Sequence, residues 1–503
     1  MNIIKSATLD AFDAICVDVE ASFTKGLPSF SIVGLASSSI QESRDRVKSA
    51  LLMNDYKFPP KKITINLSPS DITKNGTHFD LCIALLIALE SEKKVDFNDF
   101  FIFAELGLDG LLKENLSIFA LVLSLAKNNP FMKVLVPKSI AQKISLIPDI
   151  QIYCVDTLSQ AIDFFKFDNK ELSRISNESL SCKKISGGKR DYFYNSSYPL
   201  NFLDVKGQTH AKRAALIAVS GNHNILFEGS PGCGKSMIIK RLQYIMPPQT
   251  AQQILEKAKL DSLNGVEPKF DASRVFRSPH HSSTKASIFG GGTVNSKIGE
   301  VALANNGVLF FDELPHFPKS ILEAMREPLE DYTLLISRVN SKIQYQTKFL
   351  FASAQNPCPC GNSLSSTKEC RCSDLEVSRY KSCLSDPFLD RIDMFVTMND
   401  VNYSDKSDVD SSHLHQKVIA AFIVQMKRGQ EELNGKLSDE EVQVQCSLNS
   451  ECELILSQAT QSFSLSFRSI NKVLKVSRTI ADIEGSKSIE KAHILEALSY
   501  RKR

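Results

Sequence analysis

The sequence predicts a multidomain α/β protein with three parts in series. Three observations point to it. Between about residues 200 and 402, strand-like apolar runs alternate with helical ones, as in a parallel sheet covered by helices. One of those runs passes through a glycine-rich turn directly into a helical stretch. The flanking regions differ in pattern: β-branched runs mixed with amphipathic stretches come before, and a helical period without a strong strand signal follows.

The first part spans residues 1–170. Ile63-Thr64-Ile65-Asn66-Leu67 and Lys133-Val134-Leu135-Val136 read as strands, and Ser38 to Met53 reads as helical. Leu81 to Leu89, the longest apolar stretch, is a core helix or strand and far short of the roughly 20 residues a membrane helix needs. Residues 171–198 turn polar, with Ser173, Ser176, Ser179, Ser181, Ser186 and the pair Gly187-Gly188, and read as an interdomain linker. Residues 199–402 form the α/β part and 403–503 the helical part.

Composition bounds this picture without naming a function. The chain has 503 residues, 43% of them hydrophobic and 23% charged, which argues against disorder, collagen or a membrane bundle. Sixty Lys and Arg against 57 Asp and Glu leave a formal charge of +3, so any basic surface must be local. Asp10, Asp13, Asp18 and Glu20 spoil a signal-peptide pattern, and a cytoplasmic location is expected.

The strongest motif is Gly229-Ser230-Pro231-Gly232-Cys233-Gly234-Lys235-Ser236, which satisfies G-x-x-x-x-G-K-[ST]. Asn224-Ile225-Leu226-Phe227 precedes it as a buried strand, and Met237 to Ile245 follows as a helix. Such a loop wraps backbone N–H groups around phosphates and sets a helix N-terminus behind them. Lys235 would reach the β- and γ-phosphates of ATP, and Ser236 would ligate Mg²⁺. Gly307-Val308-Leu309-Phe310-Phe311-Asp312-Glu313 is an apolar strand ending in two carboxylates. There Asp312 would hold the Mg²⁺ shell and Glu313 would orient or polarise the attacking water. Arg391, in Phe388-Leu389-Asp390-Arg391-Ile392-Asp393, fits two readings: a finger acting on a neighbour's γ-phosphate, or a surface pair with Asp390 or Asp393.

Twelve cysteines divide in two. Cys16, Cys82, Cys154, Cys182, Cys233, Cys383, Cys446 and Cys452 are scattered and read as small buried hydrophobes. Cys358-x-Cys360 and Cys370-x-Cys372 supply four thiolates, enough for tetrahedral Zn²⁺. Structural zinc, free thiols and a redox switch all fit that cluster.

At this point a resemblance becomes specific. Ile32-Val33-Gly34-Leu35, Glu42-Ser43-Arg44-Asp45-Arg46-Val47, Asn66-Leu67-Ser68-Pro69, Lys74-Asn75-Gly76-Thr77-His78-Phe79-Asp80-Leu81 and Glu105-Leu106-Gly107-Leu108-Asp109-Gly110 carry it in the first part. Phe276-Arg277-Ser278-Pro279-His280-His281, Gly290-Gly291-Gly292, Asp312-Glu313-Leu314-Pro315 and Asn356-Pro357-Cys358-Pro359-Cys360-Gly361 extend it through the α/β part. Arg478-Thr479-Ile480-Ala481-Asp482 extends it into the helical part. The chain resembles the Mg-chelatase-like AAA+ family, most closely its competence-protein ComM group.

That resemblance implies a P-loop AAA+ ATPase domain, a C-terminal helical lid and assembly into a ring, a homohexamer. It makes Asn356 the polar sensor, Arg391 the finger and Arg468 the second sensor, which reads the γ-phosphate and couples hydrolysis to the lid. Ser287 to Gly299 resembles a helix insert, and Glu330 to Gln355 a hairpin before the sensor strand, both found in AAA+ clades that thread polymers. Thr333 to Ser337 and Lys342 to Thr347 read as the hairpin arms. Arg338 and Lys342 would contact DNA phosphates there, or merely protect the hairpin edge. The family function is branch migration of DNA in natural transformation, so single-stranded or branched DNA and recombination proteins are the implied partners, with no membrane. Two alternatives remain: a chelatase-type motor remodelling a protein partner, or a regulatory module with ATP-switched assembly. The first part resembles the Lon-protease-like fold of the ribosomal-S5 type. Thr77-His78 and Ile118-Phe119-Ala120 stand where a Ser-Lys pair would be needed, so no peptidase activity is expected.

Overall fold

The computed structural model describes residues 2–10, 12–92, 95–167, 170–188, 190–291, 298–337, 342–401, 405–407, 409–463 and 465–501. The chain divides into two compact units: residues 1–181 with 255–270, and residues 182–254 with 271–503. Among the described residues no helix is long and apolar enough to cross a membrane.

The first unit is built on an eight-stranded mixed sheet. From edge to edge its strands are Arg174–Ile175, Gln151–Val155, Lys133–Pro137, Phe100–Ile102, Ile3–Asp10, Asp13–Thr24, Lys62–Ser68 and Ser29–Val33. Both predicted strands fall within it. Lys133–Pro137 is buried along most of its length because both sheet faces are covered. Leu135 points into the core that holds the helices Ser43–Met53, Asp80–Ala88 and Leu158–Lys166. Val134 and Val136 point into the other, formed with Ser117–Ala126, Lys138–Ile144 and the residues Leu255 and Ala258. The apolar stretch from Leu81 resolves as the helix Asp80–Ala88, buried on every side. Ser38 to Met53 is not one helix but two, Ser38–Gln41 and Ser43–Met53.

The second unit has a five-stranded, all-parallel sheet in the order Phe276–Arg277, Val308–Phe311, Leu350–Gln355, Ile225–Gly229 and Met394–Met398. The first strand in the chain therefore lies between the fourth and the fifth: the chain leaves it for the far edge strand, Phe276–Arg277, and the connection from the fourth strand to the fifth passes across it in the opposite direction. Crevices at the C-terminal strand ends of such sheets take ligands. The helices Ser411–Lys427, Phe467–Glu484 and Lys491–Ser499 do not stand apart from the sheet. Val418, Val473, Val476, Ile480 and Ala497 share one core with Ile225, Phe227, Phe310 and Ala352.

Two readings of the sequence need amendment. The polar stretch 171–198 contains the strand Arg174–Ile175, paired to Gln151–Val155, and the hairpin of Lys183–Ser186 with Asp191–Tyr194. Polarity there marks exposure rather than absence of structure. The eight scattered cysteines are not uniformly buried: Cys82, Cys233, Cys446 and Cys452 are, Cys154 and Cys182 are half-buried, and Cys16 and Cys383 are exposed.

Candidate active site

The glycine-rich loop occupies the C-terminal end of the strand Ile225–Gly229, and the helix Lys235–Leu242 starts immediately after it. Gly234 caps that helix at φ 98°, a left-handed conformation that glycine adopts without steric cost. Loop and helix start thus turn the backbone as a phosphate cradle requires. Gln208 secures the loop from outside: its side-chain amide donates to Cys233 O at 3.1 Å and to Asn399 O at 2.6 Å.

Three strand ends converge on this loop. The Lys235 ammonium, nearly buried, donates to the carbonyls of Gly229 and Ser230 and to Asn356 Oδ1 at 3.1 Å. Burial lowers its pKa from the ordinary lysine value. Ser236 Oγ donates to Asp312 Oδ2 at 3.0 Å, bringing together the hydroxyl and carboxylate that would share a Mg²⁺ shell. Asp312 and Glu313 follow the strand Val308–Phe311, and Asn356 follows Leu350–Gln355. Gly229, Lys235, Ser236, Asp312, Glu313 and Asn356 therefore form one constellation, although 127 positions separate its first and last members. Glu313 has a neighbour that the sequence did not announce: His281 Nδ1 lies 3.7 Å from its Oε2, and the His281 ring lies tilted against that of His280 with centroids 4.1 Å apart.

Arg391 and Arg468 are elsewhere. Ile225 pairs with Met394 and Gly229 with Met398, so the two strands run in register from one end of the sheet to the other. Arg391 precedes Met394 and lies beyond the end opposite the loop. Four residue steps of about 3.3 Å put it at least about 13 Å from its own glycine loop. Asn224 fixes it there, with its side-chain amide donating to Arg391 O at 3.0 Å and its backbone N–H to Asp393 Oδ2 at 2.7 Å. Burial would raise the Asp393 carboxyl, but Lys472, His223 and Lys436 hold it down to about 2. Neither surface pair expected for Arg391 forms. Its guanidinium binds one carboxylate oxygen of Glu330, and Arg468 binds the other. Asp393 pairs instead with Lys472 at 3.0 Å. Glu330 ends the helix Arg326–Glu330, and no sequence signal marks its role. These groups line a cavity of about 730 Å³ with Lys436 and Lys475.

The four clustered cysteines do meet. Their sulfurs all lie within 4.8 Å of one another, with Cys358–Cys360 at 3.4 Å and Cys370 at 3.7 Å from each of those two. These separations exceed a disulfide bond of about 2.05 Å. They approach the edge of about 3.8 Å that a tetrahedron with Zn–S of about 2.3 Å has. The backbone N–H groups of Asn362 and Arg371 lower the Cys360 thiol to about 6. The hairpin arms are Thr333–Ser337 and Lys342–Gln346, paired from Thr333–Gln346 to Ser337–Lys342. Arg338, the tip and the side chain of Lys342 lie outside the described residues, as does Gly292.

Comparison with known proteins agrees with this geometry. Residues 201–406 match the family described as magnesium chelatase, subunit ChlI; residues 19–140 match subunit ChlI of Mg-chelatase, and residues 408–501 its C-terminal part. Competence protein ComM of Haemophilus influenzae is 36% identical, covering 99% of this chain and 97% of its own. YifB of Escherichia coli is 35% identical over 100% of this chain and 97% of its own, and YifB of Salmonella typhimurium 34% over 96% and 94%. Family membership carries ATP hydrolysis with it. The chain belongs to the Mg-chelatase-like AAA+ ATPase family, in the group that contains competence protein ComM and YifB.

Proposed function

We propose that the chain assembles into a ring, a homohexamer, that hydrolyses ATP to move along single-stranded or branched DNA and drives branch migration in natural transformation and recombination. The observation that carries the ring is the separation of Arg391 from its own glycine loop by the length of the paired strands Ile225–Gly229 and Met394–Met398. A finger unable to reach its own nucleotide can serve only a neighbour's. Arg468 shares Glu330 with it and acts on the same foreign γ-phosphate, which must take over the two arginines from that carboxylate. In this reading Lys235, Ser236 and Asp312 hold ATP and Mg²⁺ from one subunit, Glu313 activates water and Asn356 senses the γ-phosphate. The helices after residue 409 act as the lid.

Support for DNA as the track comes from the hairpin and from the name of the ComM relative, a competence protein. One Arg338 and one Lys342 per subunit become a cationic collar in a ring, which follows phosphates without reading bases. ATP hydrolysis measured with and without single-stranded and branched DNA tests this. Stimulation by DNA is expected in the wild type and absent in Lys235→Ala. Arg338→Ala should keep basal hydrolysis, bind DNA more weakly and show a shallower salt dependence. Hydrolysis indifferent to DNA, with no nucleotide-dependent DNA binding, would contradict the motor and favour remodelling of a protein partner or ATP-switched assembly.

We read the first unit as Lon-protease-like, of the ribosomal-S5 type, and without peptidase chemistry. Ile118, Phe119 and Ala120 are all buried apolar residues. His78 is buried against Phe79 and Phe103, with Nε2 2.8 Å from Ala7 O, and burial lowers it to about 4. That imidazole is neutral and structural.

The four thiolates of Cys358, Cys360, Cys370 and Cys372 suit one structural Zn²⁺. Elemental analysis of protein purified without chelator should find about one zinc per chain, and less than about 0.3 would contradict the assignment.

A further inference from the structure

The zinc cluster and the phosphate loop touch. Gly361 follows Cys360 directly, and its N–H donates to Cys358 O at 3.0 Å, closing a turn over the metal-binding sulfurs. Its φ is +80°, and a Cβ placed there would lie 2.6 Å from Cδ and 2.7 Å from Cγ of Pro231. The bare backbone of the cysteine turn therefore rests on the proline ring of the glycine-rich loop, and only glycine permits that approach. A second link runs through Asn356, two residues before Cys358, whose Oδ1 accepts from Lys235 at 3.1 Å. A third closes the far side: Ser365 Oγ and Ser366 N donate to Asp400 Oδ2 at 2.7 and 2.9 Å, just beyond the strand Met394–Met398.

The segment making these contacts has little packing of its own to hold it in place. Residues 356–373 contain neither helix nor strand, and Pro357, Cys358 and Gly361 are their only buried members. Ordering so long an irregular segment costs backbone entropy at every residue, with almost no apolar burial to oppose it. Four thiolates on one ion supply what the sequence otherwise lacks.

We propose that the Cys358–Cys360–Cys370–Cys372 cluster, with its zinc bound, braces the phosphate loop through Gly361 against Pro231, so that metal occupancy sets the affinity for ATP. This rests on the zinc assignment above and adds to it a consequence for the nucleotide site. The site takes a divalent ion of thiophilic character, and its removal frees the turn that backs Pro231 and the strand end that orients Asn356.

Binding of a fluorescent ATP analogue to the full chain, read alongside zinc content, tests it. Protein stripped of zinc by a chelator and returned to Mg²⁺ buffer should bind ATP about tenfold more weakly or worse, and added Zn²⁺ should restore the affinity. Gly361→Ala leaves all four ligands in place. It should retain its zinc and bind ATP more weakly by a comparable factor, with circular dichroism unchanged. Cys383→Ser, at an exposed cysteine outside the cluster, should alter neither quantity. If the chain holds no zinc, the metal assignment fails and the brace fails with it. If it holds zinc, but ATP affinity stays within about twofold after stripping and in zinc-loaded Gly361→Ala, the brace alone is overturned.

Discussion

Arg391→Ala is expected to lower ATP turnover by about 10³- to 10⁵-fold while ATP affinity changes little, because in the proposed ring the guanidinium would act on charge that develops only in the transition state. The structure gives this prediction a particular form. Arg391 lies at the end of the sheet opposite Gly229, fixed by Asn224, and Glu330 occupies its guanidinium together with that of Arg468. Nothing on its own subunit's nucleotide side would be disturbed by its loss. Steady-state phosphate release and equilibrium nucleotide binding, measured on the same preparation, separate the two effects. A loss below about tenfold would instead mean that Arg391 and Glu330 form a structural pair.

Glu313→Gln is the second large effect. The amide keeps the size of the side chain but cannot take a proton from water, so hydrolysis should fall by about 10²- to 10⁴-fold. Lys235, Ser236 and Asp312 make their contacts independently of Glu313, so ATP and Mg²⁺ should still bind. The variant should accumulate in an ATP-bound state, read as retained nucleotide after rapid desalting. Undiminished turnover would move the general base elsewhere.

What was legible in the sequence was legible because it is local. The glycine loop, its preceding strand and its following helix are contiguous, and each follows from periodicity and turn chemistry within a few residues. The hairpin arms, expected at Thr333 and Lys342 from the family resemblance, are found there. Asp312 was legible as a strand exit; its contact with Ser236 depends on the strand order, which places Leu350–Gln355 between their two strands.

What escaped depends on contacts between distant positions. Glu330 joins Arg391 and Arg468 across 61 and 138 positions, and a glutamate ending a short helix carries no mark of that. Residues 255–270 lie within the span read as the ATPase part, yet belong to the first unit, because Leu255 and Ala258 fill its core. Gly361 looks like an ordinary turn glycine until Pro231 is seen against it. The surface cysteines Cys16 and Cys383 were read as buried because composition reports how often cysteine is inside, not where each one sits.

The central claim is that each nucleotide site is completed by a neighbouring subunit, and mixing two inactive variants tests it most directly. Arg391→Ala subunits keep an intact phosphate loop, and Lys235→Ala subunits keep an intact finger. At equal amounts and random assembly, about a quarter of head-to-tail interfaces combine the two intact halves. The account predicts that mixing, with exchange of subunits, restores hydrolysis well above the sum of the two parents. Hydrolysis equal to that sum, in mixed assemblies shown to contain both chains, would contradict it.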